Sequence, residues 1–406
     1  MFTNVSHRLA QDVKDLTSQQ VSPTSYAVAA CYMMCVTIFG ILVNLMVFYI
    51  VLTDNKLRTP MNAILVNLAC SDFGIAFLGN PVALFNAING GWMLGQTVCQ
   101  AYGFCMSFFG IASIFTLTVL AYERYHIICH PFSIASHLTW QGAMISIVGT
   151  WLASFVASSP PLFGWGAYEN EAANISCSIN WASREWNATS YILFLFSIAM
   201  IVPIFVITFS YYNIVKTMRQ VNKMKLAQNT GVVKKAETHV ARMILIMVIA
   251  FFIAWGPYAV FSLLIAFTDI EITPLYSMAP SLFAKSSVCY NPIIYFFLNH
   301  QFRKSWCRRI RKGYVEESSV RIRQIPLSKI NSPPQELQNV EWCHRNQALM
   351  TITSSMSSSS SGTNSYFKQF KERDKNISHL IPYNTFPFVK RKQKLKSPSL
   401  PNITQH

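Results

Sequence analysis

The chain has 406 residues, 52% hydrophobic, 14% aromatic and only 12% charged, which makes it far more apolar than a soluble domain of that length. A net charge of +16 would suit a nucleic-acid binder, but no aromatic and basic readout module accompanies it. The cations instead crowd the ends of apolar stretches, so the composition describes a polytopic membrane protein that binds no nucleic acid.

The polar opening segment, 1–26, lacks a basic start followed by an apolar run and a small-residue cleavage site. It reads as an extracellular segment rather than a cleaved leader. Seven stretches, about 27–52, 60–87, 97–129, 139–161, 190–215, 239–266 and 274–298, are long enough to cross a bilayer as helices. Lysine and arginine gather in alternate loops, at Lys56 and Arg58, from Lys216 to Lys235, and from Arg303 to Lys312. That asymmetry puts the N-terminus outside and the C-terminus in the cytoplasm. The expected body, 27–312, is therefore all-α: a seven-transmembrane helix bundle with an amphipathic juxtamembrane helix.

Several spans carry polar groups that a bilayer disfavours. Asn44, Asp72 and Asn291 sit at comparable depths in the first, second and seventh spans, as an internal polar network or as groups that glue helices together. Glu123-Arg124-Tyr125 closes the third span on the cytoplasmic side, and Glu237 opens the sixth on the same side. Arg124 can pair with either acid, and pairing with Glu237 would make a contact that breaks when the helices separate. Pro257 and Pro292 each remove a backbone donor inside a span and are expected to kink it. Of the ten cysteines, only Cys99 and Cys177 fall on the outward side, where an oxidising compartment would allow one disulfide.

Lys285 lies roughly 16 Å along the last apolar stretch, with no carboxylate within a helical turn. Its stem is too short to carry the ammonium across about half of a ~30 Å hydrocarbon core. Two uses remain, an ion pair with another segment or imine chemistry by a desolvated amine. Beyond it, 299–310 alternates aromatic and basic residues at helical spacing, as in a helix lying on membrane lipid, with Cys307 placed for palmitoylation. The remainder, 313–406, includes a hydroxyl-rich run at 351–361 and reads as a disordered cytoplasmic tail open to phosphorylation.

Together Asn44, Leu68-Ala69-Cys70-Ser71-Asp72, Cys99 with Cys177, Glu123-Arg124-Tyr125, Trp151, Pro203, Trp255-Gly256-Pro257 and Asn291-Pro292-Ile293-Ile294-Tyr295 resemble the rhodopsin-like G protein-coupled receptors. A lysine seven residues before the proline of Asn-Pro-x-x-Tyr is the opsin hallmark, and Pro160-Pro161-Leu162-Phe163-Gly164-Trp165-Gly166 also resembles opsins. Ala284-Lys285-Ser286 and the length of the loop between spans five and six are most similar to ciliary-type opsins, particularly the encephalopsin-like branch.

The resemblance implies 11-cis-retinal bound to Lys285 as a Schiff base. It also implies a negative counterion, because a buried cation needs one. Where vertebrate visual pigments place a glutamate this chain has Tyr102; the resemblance offers a second counterion position in the second outer loop, six residues before the second cysteine, which here is Glu171, with Glu169 in reserve. Pigments of that kind keep their chromophore after illumination, which implies bistability. Trp255, Tyr258, Gly110 and Phe251-Phe252 are expected around the polyene. Implied partners are a heterotrimeric G protein of the inhibitory/transducin type, and a receptor kinase and arrestin on the hydroxyl-rich tail. His300 stands where ciliary opsins commonly carry lysine, which leaves a stimulatory G protein as the second choice. The implied location is the cell membrane; of the outward-facing sequons at Asn4, Asn174 and Asn187, Asn4 on the polar opening segment is the expected glycosylation site, and the other two stay open. The role is a receptor and not an enzyme; a retinal photoisomerase and a receptor for a diffusible ligand are the competing roles.

Overall fold

The computed structural model describes residues 21–131, 138–225, 233–268 and 273–310. Asn4, the run at 351–361 and the whole of 313–406 lie outside them. Among the described residues six helices are each long and apolar enough to cross a bilayer: Pro23–Thr53, Pro60–Ile88, Gly95–Cys129, Trp140–Ser158, Trp186–Val221 and Glu237–Phe267. Their starts follow from local chemistry. Ser22, Thr59 and Thr139 each accept a hydrogen bond from the backbone N–H three residues on, and Pro23 and Pro60 occupy first-turn positions where no N–H is needed.

The seventh span is broken just upstream of Pro292. It runs as Pro274–Lys285, a 3-10 turn at Ser286–Cys289, and Tyr290–Leu298. Such a break leaves backbone carbonyls without their usual partners, and in hydrocarbon these must be satisfied from another helix. Asn44 does this, donating from Nδ2 to Val288 O at 3.0 Å and so tying the first span to the seventh.

Two further irregularities have a shared cause. Wide π-turns at Ile75–Gly79 and Ser197–Ile201 end immediately before Asn80-Pro81 and Val202-Pro203. A proline ring crowds the carbonyl four residues back and offers no N–H, so a widened turn lets the helix pass through it. Pro257, by contrast, lies inside an α-helix that runs continuously from Val233 to Phe267.

Polar side chains join the helices where hydrophobicity cannot, since lipid is as apolar as leucine. Trp151 Nε1 donates to Asn67 Oδ1 at 2.7 Å, and Asn67 Nδ2 donates to Thr116 at 2.9 Å, linking spans two, three and four. At one end of the bundle the loop after the fourth span forms a two-stranded antiparallel ribbon, β1 (Tyr168–Asn170) and β2 (Cys177–Ile179), with Asn170 opposite Cys177. The Cys99–Cys177 disulfide pins it to the third span, with the Cα atoms 5.4 Å apart. The ribbon lies so close that a Cβ on Gly103 would come within 2.5 Å of the Tyr168 ring.

At the opposite end of the bundle residues 300–310 form a short helix. Phe302 and Ser305 are buried beneath it, and the Arg309 guanidinium lies 5.1 Å from the Tyr49 ring centroid. Ser305 Oγ donates to Asp54 Oδ2 at 2.6 Å. That bond, aided by the Lys56 N–H, Arg308 and Arg309 against the opposing pull of burial, holds the Asp54 carboxyl below its ordinary value. Cys307 on this helix is partly exposed and outside any disulfide.

Candidate functional site: a buried lysine beneath an outer lid

Beneath the ribbon lies a cavity of ≈ 190 Å³ between spans three, five, six and seven. Its wall is mostly apolar and includes Trp255, Phe251, Phe252 and Phe196, with Lys285 and Glu171 as its two charged members among the described residues. Lys285 is 6% exposed, which a charged terminus tolerates only with compensating partners.

Those partners are ordered. Lys285 Nζ donates to Ser281 Oγ at 2.6 Å and reaches Ser176 Oγ at 3.5 Å. Both hydroxyls donate onward to Glu171 Oε2, at 2.7 and 2.6 Å, while Tyr258 Oη donates to Oε1 at 3.0 Å. The link between the two charges therefore runs through serine hydroxyls. Burial alone would raise the Glu171 carboxyl, but Lys285 and the hydroxyls of Ser176, Ser281 and Tyr258 outweigh it and hold the group below its ordinary value.

Local backbone explains why Glu171 points inward and Glu169 does not. Glu169 is on β1, exposed, and accepts from Asn180 Nδ2 at 2.7 Å. Glu171 has left the strand and enters a turn closed by Glu171 N–H to Ser176 O at 2.9 Å and Asn174 N–H to Glu171 O at 2.7 Å. Asn174 holds the left-handed conformation this turn requires, φ 56°, which asparagine adopts more readily than most residues.

Trp255 floors the cavity. Its indole N–H donates to Ser287 Oγ at 3.0 Å, and its ring stacks on Phe251 with centroids 5.8 Å apart. A Cβ at Gly110 would stand 3.1 Å from Trp255 Cη2. Substitution of Gly110 by alanine is expected to push the indole by a few tenths of an ångström and shift the absorption of any bound chromophore without preventing folding; a difference spectrum against the parent checks this. Tyr258 spans the cavity top between Glu171 and Trp181, whose Nε1 lies 3.3 Å from Tyr258 Oη. Tyr102 is buried, packs on Trp92 at 5.7 Å between centroids, and is outside the cavity-lining set.

Below the cavity the polar residues of the spans meet. Asp72 accepts from Asn291 Nδ2 at 2.9 Å and from Ser113 Oγ at 3.0 Å, which joins spans two, three and seven. Pro292 begins the turn of helix that leads to Tyr295, which is buried with its ring centroid 6.5 Å from that of Phe302. At the end of the bundle away from the ribbon Arg124 Nη1 pairs with Glu237 Oε2 at 2.7 Å, and not with its neighbour Glu123. Tyr125 Oη lies 3.0 Å from His130 Nε2.

Sequence reasoning missed Ser281, Ser176, Ser287 and Trp181. Ser281 had a signal, since it lies one helical turn before Lys285 and so on the same face. Ser176 and Trp181 had none, because loop residues carry no periodicity.

The profile of the 7 transmembrane receptor (rhodopsin family) matches residues 43–295. Parapinopsin of Ictalurus punctatus is 38% identical over 279 residues, 68% of this chain and 80% of that protein. Pinopsin of Columba livia is 37% identical over 290 residues, 71% and 82% of the two chains. The crystal structure of squid rhodopsin superposes with a TM-score of 0.68 at 28% identity, covering 80% of this chain and 92% of that one. The chain belongs to the opsins within the rhodopsin family of seven-transmembrane receptors. It is a multi-pass membrane protein and a light-sensing G protein-coupled receptor, a signalling protein rather than an enzyme.

Proposed function

We propose that this opsin binds 11-cis-retinal covalently at Lys285, with Glu171 as counterion, and that it is a bistable pigment signalling to an inhibitory/transducin-type G protein from the cell membrane, its N-terminus outside. The observation that carries this reading is a buried lysine on the wall of an aromatic cavity, joined through two serines to the Glu171 carboxyl. The site fits the group: an amine shielded from water, an anion at hydrogen-bond remove, and flat apolar walls. Retinal, when bound, supplies an aldehyde for a Schiff base with the lysine and a polyene whose shape changes with light.

The protein's own residues do the rest. Lys285 Nζ holds a proton that Glu171 stabilises electrostatically, and Ser281 and Ser176 orient that charge. Trp255, held by Ser287, stands where a change of shape in the cavity is felt by the sixth span. Movement there biases the equilibrium toward a state in which Arg124 and Glu237 part and the inner face admits a G protein. Ala284-Lys285-Ser286 supports a ciliary-type, encephalopsin-like branch. Receptor kinase and arrestin at the hydroxyl-rich tail, glycosylation at Asn4 and palmitoylation at Cys307 complete the reading.

The test is reconstitution with 11-cis-retinal and absorption spectra before and after illumination, beside Lys285→Ala. A visible band that needs Lys285, shifts with light and returns under a second wavelength is the expected result. A folded parent protein that forms no band would overturn the chemistry and leave a receptor for a diffusible ligand.

A further inference from the structure

A second cavity, an open groove of ≈ 710 Å³, runs between the cytoplasmic halves of the fifth and sixth spans. Thr208, Tyr212, Val215 and Arg219 on the fifth span fall at i, i+4, i+7 and i+11, one stripe of a helix, and Leu245 of the sixth span faces them. The stripe is roughly 16 Å long at 1.5 Å per residue, about half a ~30 Å hydrocarbon core and so the depth of one leaflet. Tyr212 is 67% exposed and Val215 45%, a surface that acyl chains cover and water does not.

Both cations of the groove, Lys216 and Arg219, are at its cytoplasmic end, where the stripe meets the headgroup level. They stand three residues apart on one helix, and like charges at that spacing repel. No acidic residue lines the groove, and among the described residues neither cation forms an ion pair. Exposed Arg242, one turn inward of Leu245, adds a third positive charge on the neighbouring helix. The groove is thus apolar for one leaflet and cationic at its mouth, the complement of a lipid with a negative head. Its wall is held in register by Tyr211, whose hydroxyl donates to Ala241 O at 3.0 Å across the two spans.

We propose that this groove binds an anionic phospholipid of the inner leaflet, its phosphate on Lys216 and Arg219 and an acyl chain along Val215, Tyr212 and Leu245. The proposal rests on the cytoplasmic placement of the basic loops proposed above and is independent of the retinal chemistry. Because the occupant touches both spans, outward motion of the sixth would remodel its site.

Native mass spectrometry of the full chain in detergent, offered phosphatidylserine and phosphatidylcholine of matched chains, tests it. The parent is expected to retain phosphatidylserine preferentially. Lys216→Gln with Arg219→Gln should cut that preference by about thirtyfold, the equivalent of two surface cations. Lys56→Gln with Lys304→Gln, which removes two inner-face cations elsewhere, should keep it. Val215→Trp fills the groove with both charges in place and should weaken lipid retention as well. An unchanged preference in the first double variant, or an equal loss in the second, would overturn a defined site in favour of none or of diffuse attraction. Full retention in Val215→Trp together with competition by soluble glycerophosphoserine would overturn the lipid and leave a phosphate site. Monodispersity and melting temperature establish that each variant is folded.

Discussion

Replacing Glu171 by glutamine is expected to lower, by roughly 2–3 pH units, the midpoint at which the reconstituted pigment loses its proton from the lysine nitrogen. An opposite charge within a few ångströms shifts a titration by about 1–3 units, and the effect is greatest where water is excluded. The glutamine keeps the shape and one accepting oxygen for the hydroxyls of Ser176, Ser281 and Tyr258, which all donate to the carboxylate, but removes the charge. Neutral hydroxyls cannot replace it. Spectrophotometric titration of the visible band reads the midpoint directly. An unchanged midpoint with unchanged absorbance would remove Glu171 from the role. Glu169→Gln is the control and should move nothing, since Glu169 is exposed and bonded to Asn180.

The same geometry sets the acid side. Because the Glu171 carboxyl is held below its ordinary value, its charge persists as pH falls and is lost only when pH drops through that lowered value, beneath the ~4.3 of a free glutamate. The parent band is therefore expected to survive at pH 5, with acid-induced change confined to lower pH.

The second large effect is expected at the inner face. Glu237→Gln should raise nucleotide exchange on the G protein in darkness by about fivefold, with the light response retained. Glu237 is 41% exposed, so water screens part of the attraction and the pair contributes on the order of 1 kcal/mol. That energy is about a fivefold change in a two-state equilibrium. The change is consequential because Arg124, only 5% exposed, is left without its partner while the rest of the bundle is untouched. Dark exchange equal to the parent's would show that the tie does not hold the resting state. Glu123→Gln should have a smaller effect, since Glu123 forms no ion pair with Arg124 in this structure.

Much of the protein was legible in its residues for reasons of physics. Apolar runs of fixed length and loops biased in lysine and arginine follow from the bilayer alone, so spans and their order needed no tertiary information. Lys285 was conspicuous because hydrocarbon makes any cation costly, and Arg124 and Glu237 because a buried guanidinium needs an acid. Motif order carried the likeness to opsins. The π-turns before Pro81 and Pro203 were not read, although proline in a span is their cause. Pro292 marked the seventh span for a kink, but not that the irregularity would be a 3-10 turn at Ser286–Cys289, because 3-10 and α turns draw on the same residues.

The sequence by itself determined that this chain crosses a membrane repeatedly, holds a lysine where only chemistry or pairing can sustain it, and resembles opsins. Only the tertiary structure decided how Lys285 is compensated. Ser281 is four residues away, but Ser176 and Glu171 arrive from a loop more than a hundred residues upstream, brought there by a disulfide and a turn at Asn174. Periodicity and hydropathy report what a residue's own helix demands of its surroundings. They say nothing of which distant hydroxyl meets which charge, because that depends on how a lid closes over the bundle.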